Sequence, residues 1–254
     1  VHLAGSEAAG SVVAAQAGEN LTSTVLELGG SDPFIVLEDA NLQKAVETAV
    51  KARLQNSGQS CIAAKRFIVV DSLYEQFIDM MKEEMEKQVI GDPLDEGTTV
   101  GPMAREDILK EVLKQADHSI KKGAKLVLGG ERLPGDGYFM APTILKDVKP
   151  GMPAFDQETF GPIAAVIHAM DSDEAMQLAN HTSFGLGASL WTEDIEQSGR
   201  FIKMLNAGSV FVNEMVKSDP RLPFGGIKRS GYGRELSHYG IKEFVNIKTV
   251  YINK

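Results

Sequence analysis

The one cysteine of the chain, Cys61, lies among small and polar residues that leave room for another molecule to reach its sulfur. The surrounding string is Asn56-Ser-Gly-Gln-Ser-Cys-Ile-Ala-Ala-Lys65. A lone cysteine is commonly an inert, buried small hydrophobe. The polar residues before Cys61 favour partial exposure instead, and a reactive thiol needs exposure together with a lowered pKa. Cys61 is therefore a candidate nucleophile.

Glu27 is a single charge between apolar neighbours, in Leu26-Glu-Leu-Gly-Gly30, where a strand should end. One interpretation is an end-of-strand residue that points to water. The other is a general base, because a carboxylate in a partly apolar pocket has a raised pKa and can activate a water molecule. Open α/β sheets bind ligands at the carboxyl ends of their strands. Both interpretations stay open on sequence alone.

Two turns could meet a dinucleotide. Gly5-Ser-Glu-Ala-Ala-Gly10 connects a strand to a helix, so Gly5, Ser6 and the free backbone N–H groups could face a phosphate. It is neither a Rossmann nor a Walker motif, and by default such a turn is only a turn. In Glu158-Thr-Phe-Gly-Pro162, Glu158 could hold a ribose and Phe160 could pack on a nicotinamide ring, or Phe160 could simply be a core residue.

Strands alternate with helices along most of the chain, which predicts an α/β fold with a mostly parallel sheet covered on both faces. A strand opens the chain, and a helix follows it around Ala8–Ala17. Further strands are predicted at Ser23–Leu28, Phe34–Leu37, Phe67–Val70, Lys125–Leu128, Thr143–Val148, Ile163–His168, Gly187–Thr192 and Ser209–Asn213. Further helices are predicted at Asn41–Gln55, Asp71–Gln88 with Asp71 as N-cap, Pro102 to about Ile120, Ser172–Asn180 and Asp194–Leu205. Met215–Gly233 is predicted to be a structured loop, and Glu243–Ile252 a closing strand.

Composition excludes several classes of function. The 254 residues carry a formal charge of −9, which disfavours nucleic acid as a partner. No apolar run is long enough for a membrane span, and the first residues show no basic segment followed by an apolar stretch, so we expect no secretory leader. One cysteine excludes an internal disulfide, so we expect a reducing, cytoplasmic location. The five histidines lack metal-ligand spacing, and no metal site is predicted.

Four motifs together resemble those of the aldehyde dehydrogenase superfamily. They are Leu26-Glu-Leu-Gly-Gly30, Gly58-Gln-Ser-Cys61, Glu158-Thr-Phe-Gly-Pro162 and Phe224-Gly-Gly-Ile-Lys-Arg-Ser-Gly231. Their order and spacing fit the family, with Cys61 34 residues after Glu27 and Glu158 97 residues after Cys61. The resemblance covers the whole chain. The strings Gln55–Arg66 and Met215–Pro223 are similar to those of bacterial succinate-semialdehyde dehydrogenases.

The resemblance implies a role for each motif. Cys61 would attack an aldehyde carbon, and Glu27 would activate the water that hydrolyses the resulting thioester. Glu158 would hold the nicotinamide ribose of NAD or NADP, Phe160 would flank the ring, and Gly5 and Ser6 would meet the pyrophosphate. A CoA-acylating enzyme, which has less use for a water-activating base, and a non-catalytic protein of the same fold remain as alternatives.

The resemblance also implies a substrate and two departures. A negatively charged aldehyde such as succinic semialdehyde would be held from the loop Met215–Pro223, with Ser218 as the leading candidate and Lys217 and Arg221 as nearby cations. One subgroup binds the substrate carboxylate with an arginine six residues before the cysteine, where this chain has Gln55. The family's chains are longer, so this chain should lack the first half of the cofactor domain and be inactive alone.

The expected organisation follows from that comparison. Residues 1–27 would be a remnant of the Rossmann-like NAD(P)-binding domain, residues 28–232 the catalytic domain, and residues 233–254 a C-terminal helix and oligomerisation strand. The full-length protein would be a homodimer or homotetramer.

Overall fold

The computed structural model describes all 254 residues and contains two sheets and eight α-helices. The strands are β1 (His2–Ala4), β2 (Val25–Glu27), β3 (Pro33–Val36), β4 (Arg66–Val70), β5 (Lys125–Leu128), β6 (Thr143–Lys146), β7 (Ile163–Ala169), β8 (Gly187–Trp191), β9 (Ser209–Val212) and β10 (Gly231–Tyr232). The helices are α1 (Glu7–Glu19), α2 (Leu42–Leu54), α3 (Tyr74–Glu86), α4 (Glu106–Lys121), α5 (Pro153–Asp156), α6 (Ser172–Asn180), α7 (Ile195–Met204) and α8 (Ser237–Lys242). The α/β prediction is confirmed.

The larger sheet has seven strands in the order β5-β6-β7-β4-β3-β8-β9, and every neighbouring pair is parallel except β5 with β6. Its central strands β3 and β4 are buried along their whole length. Apolar side chains of α2 and α3 pack on one face and those of α4, α6 and α7 on the other. Burial on both faces explains the nearly continuous apolar runs of these strands.

The smaller sheet has the order β1-β2-β10, with β1 parallel and β10 antiparallel to β2. Glu27 is the last residue of β2 and pairs in register with Gly231 of β10. The segment that follows β2 then enters β3 of the larger sheet. Because β1 and β2 are parallel, their carboxyl ends, Ala4 and Glu27, lie side by side.

Two helix starts differ from the prediction. Asp71 does not cap α3: residues 71–73 form a 3-10 turn, α3 begins at Tyr74, and Asp71 Oδ1 contacts His168 Nε2 at 2.7 Å. Pro102 does not open α4, which begins at Glu106. The carbonyl of Pro102 instead accepts from Gln59 Nε2, so this segment is held against the loop before Cys61.

The predicted strand Glu243–Ile252 is wrong for this chain. Residues 243–254 have no regular secondary structure and are exposed, because no strand of the same chain pairs with them. The apolar residues whose alternation led to the prediction are exposed to solvent: the accessible fractions are 57% for Val245, 83% for Ile247, 73% for Val250 and 75% for Ile252. No helix of this structure is both long and apolar enough to cross a bilayer.

Candidate active site

A cleft of about 670 Å³ brings five of the predicted motifs together. Its lining includes the end of β1, the end of β2, the Cys61 loop and the 158–160 turn, and it is completed by Phe224 and Glu235. Gly5, Ser6, Glu27, Cys61, Glu158 and Phe160, all predicted as site residues, line it. Long-range folding therefore assembles residues that lie as far apart in sequence as Ala4 and Glu235, nearly the whole length of the chain.

Cys61 lies in a loop between α2 and β4 whose backbone is unusual. Asn56, Ser57 and Gly58 have φ angles of 49°, 56° and 74°, which fold the chain sharply after α2. A Cβ at Gly58 would lie 2.2 Å from the carbonyl oxygen of Gly161, so only glycine lets this loop pack on the 158–162 turn. Arg53 connects the Cys61 loop to the first residue of β7, since its guanidinium donates to the carbonyls of Gly58 and Ile163.

The Cys61 thiol is half-buried, and burial raises its pKa, while the positive charge of Lys65 acts in the opposite direction. Two acids, Asp32 and Glu158, add to the increase in the pKa of Cys61. A thiol with a raised pKa is mostly protonated at neutral pH. Any nucleophilic role of Cys61 therefore depends on the cation beside it or on a charge brought by a ligand.

Glu27 has the properties of a general base. Only 8% of the residue is exposed, and neither carboxylate oxygen has a hydrogen-bond partner. Burial, reinforced by the negative charge of Glu235 and opposed by Arg234, raises the pKa of Glu27 to about 7. Gly225, with φ of 154°, passes so close that a Cβ there would lie 2.7 Å from Glu27 Oε1. The motif glycine thus lets the backbone cover this carboxylate.

Glu158 is held in the cleft by several contacts. Its Oε1 accepts from the backbone N–H of Gly30 at 3.0 Å and lies 3.7 Å from Lys65 Nζ. Its own carbonyl accepts from Gln115 Nε2 at 3.1 Å. A carboxylate fixed in this way can present its second oxygen to a hydroxyl group, as the predicted ribose contact requires.

The cleft continues past Glu158 to the start of α1. A second cavity of about 500 Å³ shares Ser6 and Glu158 with the first and is also lined by Glu7, Phe184 and Arg229. Ser6 caps α1, its Oγ accepting from Ala9 N–H at 3.3 Å. Neighbouring N–H groups of the first turn keep the donor capacity that a phosphate needs. The residues present therefore fit an elongated dinucleotide.

Gln55 and Ser218 do not line the cleft. Gln55 starts the turn before Cys61, and its side-chain nitrogen is buried without a partner. Ser218 is exposed, and the two cations near it are engaged inside the loop: Lys217 contacts Glu214 at 2.8 Å and Arg221 contacts Asp219 at 2.6 Å. Substrate roles for Gln55 and Ser218 stay predictions.

Three site residues were missed by the sequence reasoning: Lys65, Asp32 and Glu235. Lys65 and Asp32 are buried beneath the cleft, and Glu235 lines it and contacts His2. Charged residues are rarely buried, so neither Lys65 nor Asp32 attracts attention in a sequence. Proximity to a glycine-rich motif is the one signal for Glu235. No cluster of three or more His, Cys, Asp or Glu side chains is close enough to hold a metal ion.

Comparisons with known proteins agree with these motifs. A family profile described as "Aldehyde dehydrogenase family" matches residues 1–250. A Mycobacterium ulcerans protein named succinate-semialdehyde dehydrogenase (NADP+) 1 is 52% identical over 250 residues, which are 98% of this chain and 55% of that protein. The chain thus spans about half the length of the curated relatives that it matches.

Solved structures agree as well. A Streptococcus pyogenes succinic semialdehyde dehydrogenase in complex with NADP+ has a TM-score of 0.97 and 39% identity, over 100% of this chain and 56% of that one. A Sinorhizobium meliloti NAD-dependent aldehyde dehydrogenase has a TM-score of 0.97 and 36% identity, over 99% of this chain and 50% of that one.

Proposed function

Because this chain belongs to the aldehyde dehydrogenase family, we propose that the full-length enzyme, meaning a protein of the relatives' length that contains this chain, oxidises an aldehyde to a carboxylic acid. The observation that carries the proposal is the meeting of Cys61 and Glu27 in one cleft, with both Glu27 oxygens unpartnered. A buried carboxylate without partners is costly to maintain, which favours a functional over a structural role.

The two residues act in successive steps. The Cys61 thiolate forms a bond to the aldehyde carbon and gives a thiohemiacetal. A bound nicotinamide dinucleotide supplies the acceptor for the hydride that leaves this carbon. Cys61 then holds the carbon as a thioester. Glu27 takes a proton from water, the hydroxide adds to the thioester, and the carboxylic acid leaves as the Cys61 thiolate is regenerated.

Residues on the cleft wall would hold the dinucleotide. Gly5 and Ser6, at the start of α1, would meet the pyrophosphate, Glu158 would hold the nicotinamide ribose, and Phe160 would flank the ring; all four residues line the cleft. The mycobacterial and streptococcal relatives, which are named with NADP+, support NADP+ as the dinucleotide, whereas the Sinorhizobium meliloti protein is named as NAD-dependent. Half of the dinucleotide site would come from residues that the 254-residue chain does not contain, so this chain alone should oxidise no aldehyde.

We propose succinic semialdehyde as the substrate, since the mycobacterial and streptococcal relatives are named for it. Its distal carboxylate needs donors, and charge-assisted hydrogen bonds are the strong kind. Ser218 is the candidate donor, because its hydroxyl makes no hydrogen bond within the chain while Lys217 and Arg221 are already paired. Gln55 is the second candidate, through its unpartnered side-chain nitrogen.

The substrate test compares two aldehydes in the full-length enzyme. Succinic semialdehyde should be oxidised with a higher kcat/KM than butanal, an uncharged aldehyde of the same carbon number. Ser218→Ala should lower kcat/KM for succinic semialdehyde about ten- to a hundredfold, the effect of about 1.5–3 kcal/mol for a hydrogen bond to a charged group, and leave butanal nearly unchanged. Equal effects on both aldehydes would remove Ser218 from the substrate site.

A control separates the hydrolytic from the CoA-acylating reaction. Addition of CoA should leave the rate unchanged and give the free acid as the product. Formation of an acyl-CoA in preference to the acid would show that water activation by Glu27 is not the main reaction.

The same proposal extends to organisation and location. Residues 1–27 supply β1, α1 and β2 to the cofactor domain, residues 28–232 form the catalytic domain, and residues 233–254 mediate assembly into a homodimer or homotetramer. The exposed apolar side chains of residues 245–252 support an oligomerisation strand that forms only against a partner. We place the enzyme in the cytoplasm, where a thiol nucleophile stays reduced.

A further inference from the structure

Lys65 is a fully buried lysine placed directly under the Cys61 loop. Its exposed fraction is 0%, and lysine is almost never fully buried unless it is paired. Its ammonium donates to three backbone carbonyls of that loop, those of Ser60 at 3.1 Å, Cys61 at 3.0 Å and Ala63 at 3.0 Å. All three donor positions of the ammonium are thereby used on three residues of the loop that carries the thiol.

The same ammonium also faces Glu158. Lys65 Nζ lies 3.7 Å from Glu158 Oε1, the oxygen that accepts from Gly30 N–H. Asp32, which is buried as well, accepts from the backbone N–H of Lys65 through its own carbonyl at 3.2 Å. Charges of Asp32, Glu158, Arg53 and Cys61 all act on the ammonium. Burial lowers the pKa of Lys65 to about 8, so the residue is charged through neutral pH.

The neighbouring residue shows what a purely structural buried cation looks like. Arg66 is also 0% exposed and donates to three carbonyls, those of Ser31, Leu178 and Ala179. None of these carbonyls belongs to the Cys61 loop. Lys65 and Arg66 are therefore matched in burial and in the number of backbone acceptors, but only Lys65 contacts the residues of the cleft.

We propose that Lys65 is a positioning residue for Cys61: its ammonium fixes the loop that carries the thiol, supplies the positive charge that favours the thiolate, and holds the Glu158 carboxylate in the cleft. The proposal rests on the proposed function, in which Cys61 is the nucleophile. Lys65 acts through these two residues and does not itself line the cleft.

The test is the rate of Cys61 alkylation by iodoacetamide at pH 7, where Lys65 is charged, measured on the 254-residue chain. Cys61 is its only cysteine, so the signal has one source. Lys65→Met should lower this rate about tenfold, which corresponds to one pKa unit of the thiol and is the lower end of the range for a nearby opposite charge. Glu158→Gln removes a negative charge and should raise the rate. Arg66→Met should leave the rate unchanged within about 1.5-fold, because its guanidinium contacts no residue of the Cys61 loop.

Two results would overturn the proposal. A Lys65→Met rate at pH 7 equal to that of the unaltered chain, in a variant with an unchanged circular dichroism spectrum, would show that Lys65 only fills space. If Lys65→Met does not fold, the pH dependence of the unaltered chain decides: the rate should rise less than tenfold per pH unit around pH 8, where Lys65 loses its charge, and a tenfold rise per unit throughout would overturn the electrostatic role. Alkylation requires neither aldehyde nor dinucleotide. A slowed Lys65→Met alkylation in a protein whose full-length form oxidises no aldehyde would therefore retain the role of Lys65 and reject the proposed function.

Discussion

Glu27 and Glu158 line the same cleft, yet one carboxylate lacks hydrogen-bond partners and the other has them. Neither oxygen of Glu27 has a partner, and burial raises its pKa to about 7. Glu158 accepts from Gly30 N–H and lies beside the buried ammonium of Lys65. One carboxylate is left free to exchange a proton near neutral pH, and the other is fixed as a hydrogen-bond acceptor.

The difference has a local cause. Glu27 ends a strand whose neighbours are apolar, and the backbone at Gly225 covers it without turning an N–H towards it. Glu158 belongs to a turn packed between Gln115 of α4 and the Cys61 loop, where donors point inward. The same residue type thus becomes a base or an anchor according to the donors within reach.

Of the effects that compare Glu27 with its own unionised form, the largest is on stability. The pKa of Glu27 is about 7 in the folded chain and near 4.5 in the unfolded chain, so the folded state loses stability as the pH rises between these values. The Glu27→Gln chain does not lose stability in this way, because glutamine does not ionise. The free energy of unfolding of Glu27→Gln minus that of the unaltered chain should therefore rise between pH 5 and pH 8, by at most about 3 kcal/mol.

Urea denaturation of the 254-residue chain at the two pH values measures this rise. Glu19→Gln, at an exposed position at the end of α1, is the control. Its free energy of unfolding should stay within about 0.5 kcal/mol of that of the unaltered chain at both pH values. A Glu27→Gln difference that is the same at pH 5 and pH 8 would show that Glu27 is not the strained carboxylate described above.

A smaller effect is expected from substitution of Glu158, the carboxylate that has hydrogen-bond and charge partners. Glu158→Gln keeps an oxygen for Gly30 N–H but loses the charge that strengthens a hydrogen bond to a ribose hydroxyl. In the full-length enzyme the first-turnover formation of NADPH should slow about ten- to a hundredfold, equivalent to about 1.5–3 kcal/mol. Stopped-flow absorbance measures it. A normal first turnover with slow later turnovers would assign Glu158 to hydrolysis of the thioester, the step that is assigned to Glu27, and would contradict a different role for the two carboxylates.

The smallest effect is expected from the two charged residues that act on the pKa of Glu27. Glu235 raises the pKa of Glu27 and Arg234 lowers it. The acidic limb of the steady-state pH profile of the full-length enzyme should move downward in Glu235→Gln and upward in Arg234→Met, each by less than about one unit. Shifts in the same direction in both variants would indicate a general disturbance of the loop rather than two opposing charges.

Local patterns in the sequence predicted most of the larger sheet and six of the residues that line the cleft. Apolar runs between turn residues located β3, β4, β7 and β8, because strands buried on both faces need such runs. Cys61, Glu27, Glu158 and Phe160 were found because glycines flank each of them. These glycines let backbones approach closely, as Gly58 does against Gly161.

Features that depend on distant partners were not predictable. Asp71 contacts His168 of a remote strand rather than capping its own helix, and Pro102 is held by Gln59 rather than starting one. The alternating residues 245–252 need a strand that this chain does not provide. Lys65 was overlooked because its three acceptors are backbone carbonyls, which leave no mark in a sequence.

The central claim is that Cys61 forms a thioester which Glu27 then helps to hydrolyse. Its most direct test is pre-steady-state formation of NADPH by Glu27→Gln in the full-length enzyme, with Cys61→Ala as a control that should show neither burst nor turnover. The account predicts a burst of about one NADPH per active site, followed by steady turnover about 10²- to 10⁴-fold slower than in the unaltered enzyme. Steady turnover equal to that of the unaltered enzyme, or loss of the burst in Glu27→Gln, would contradict it.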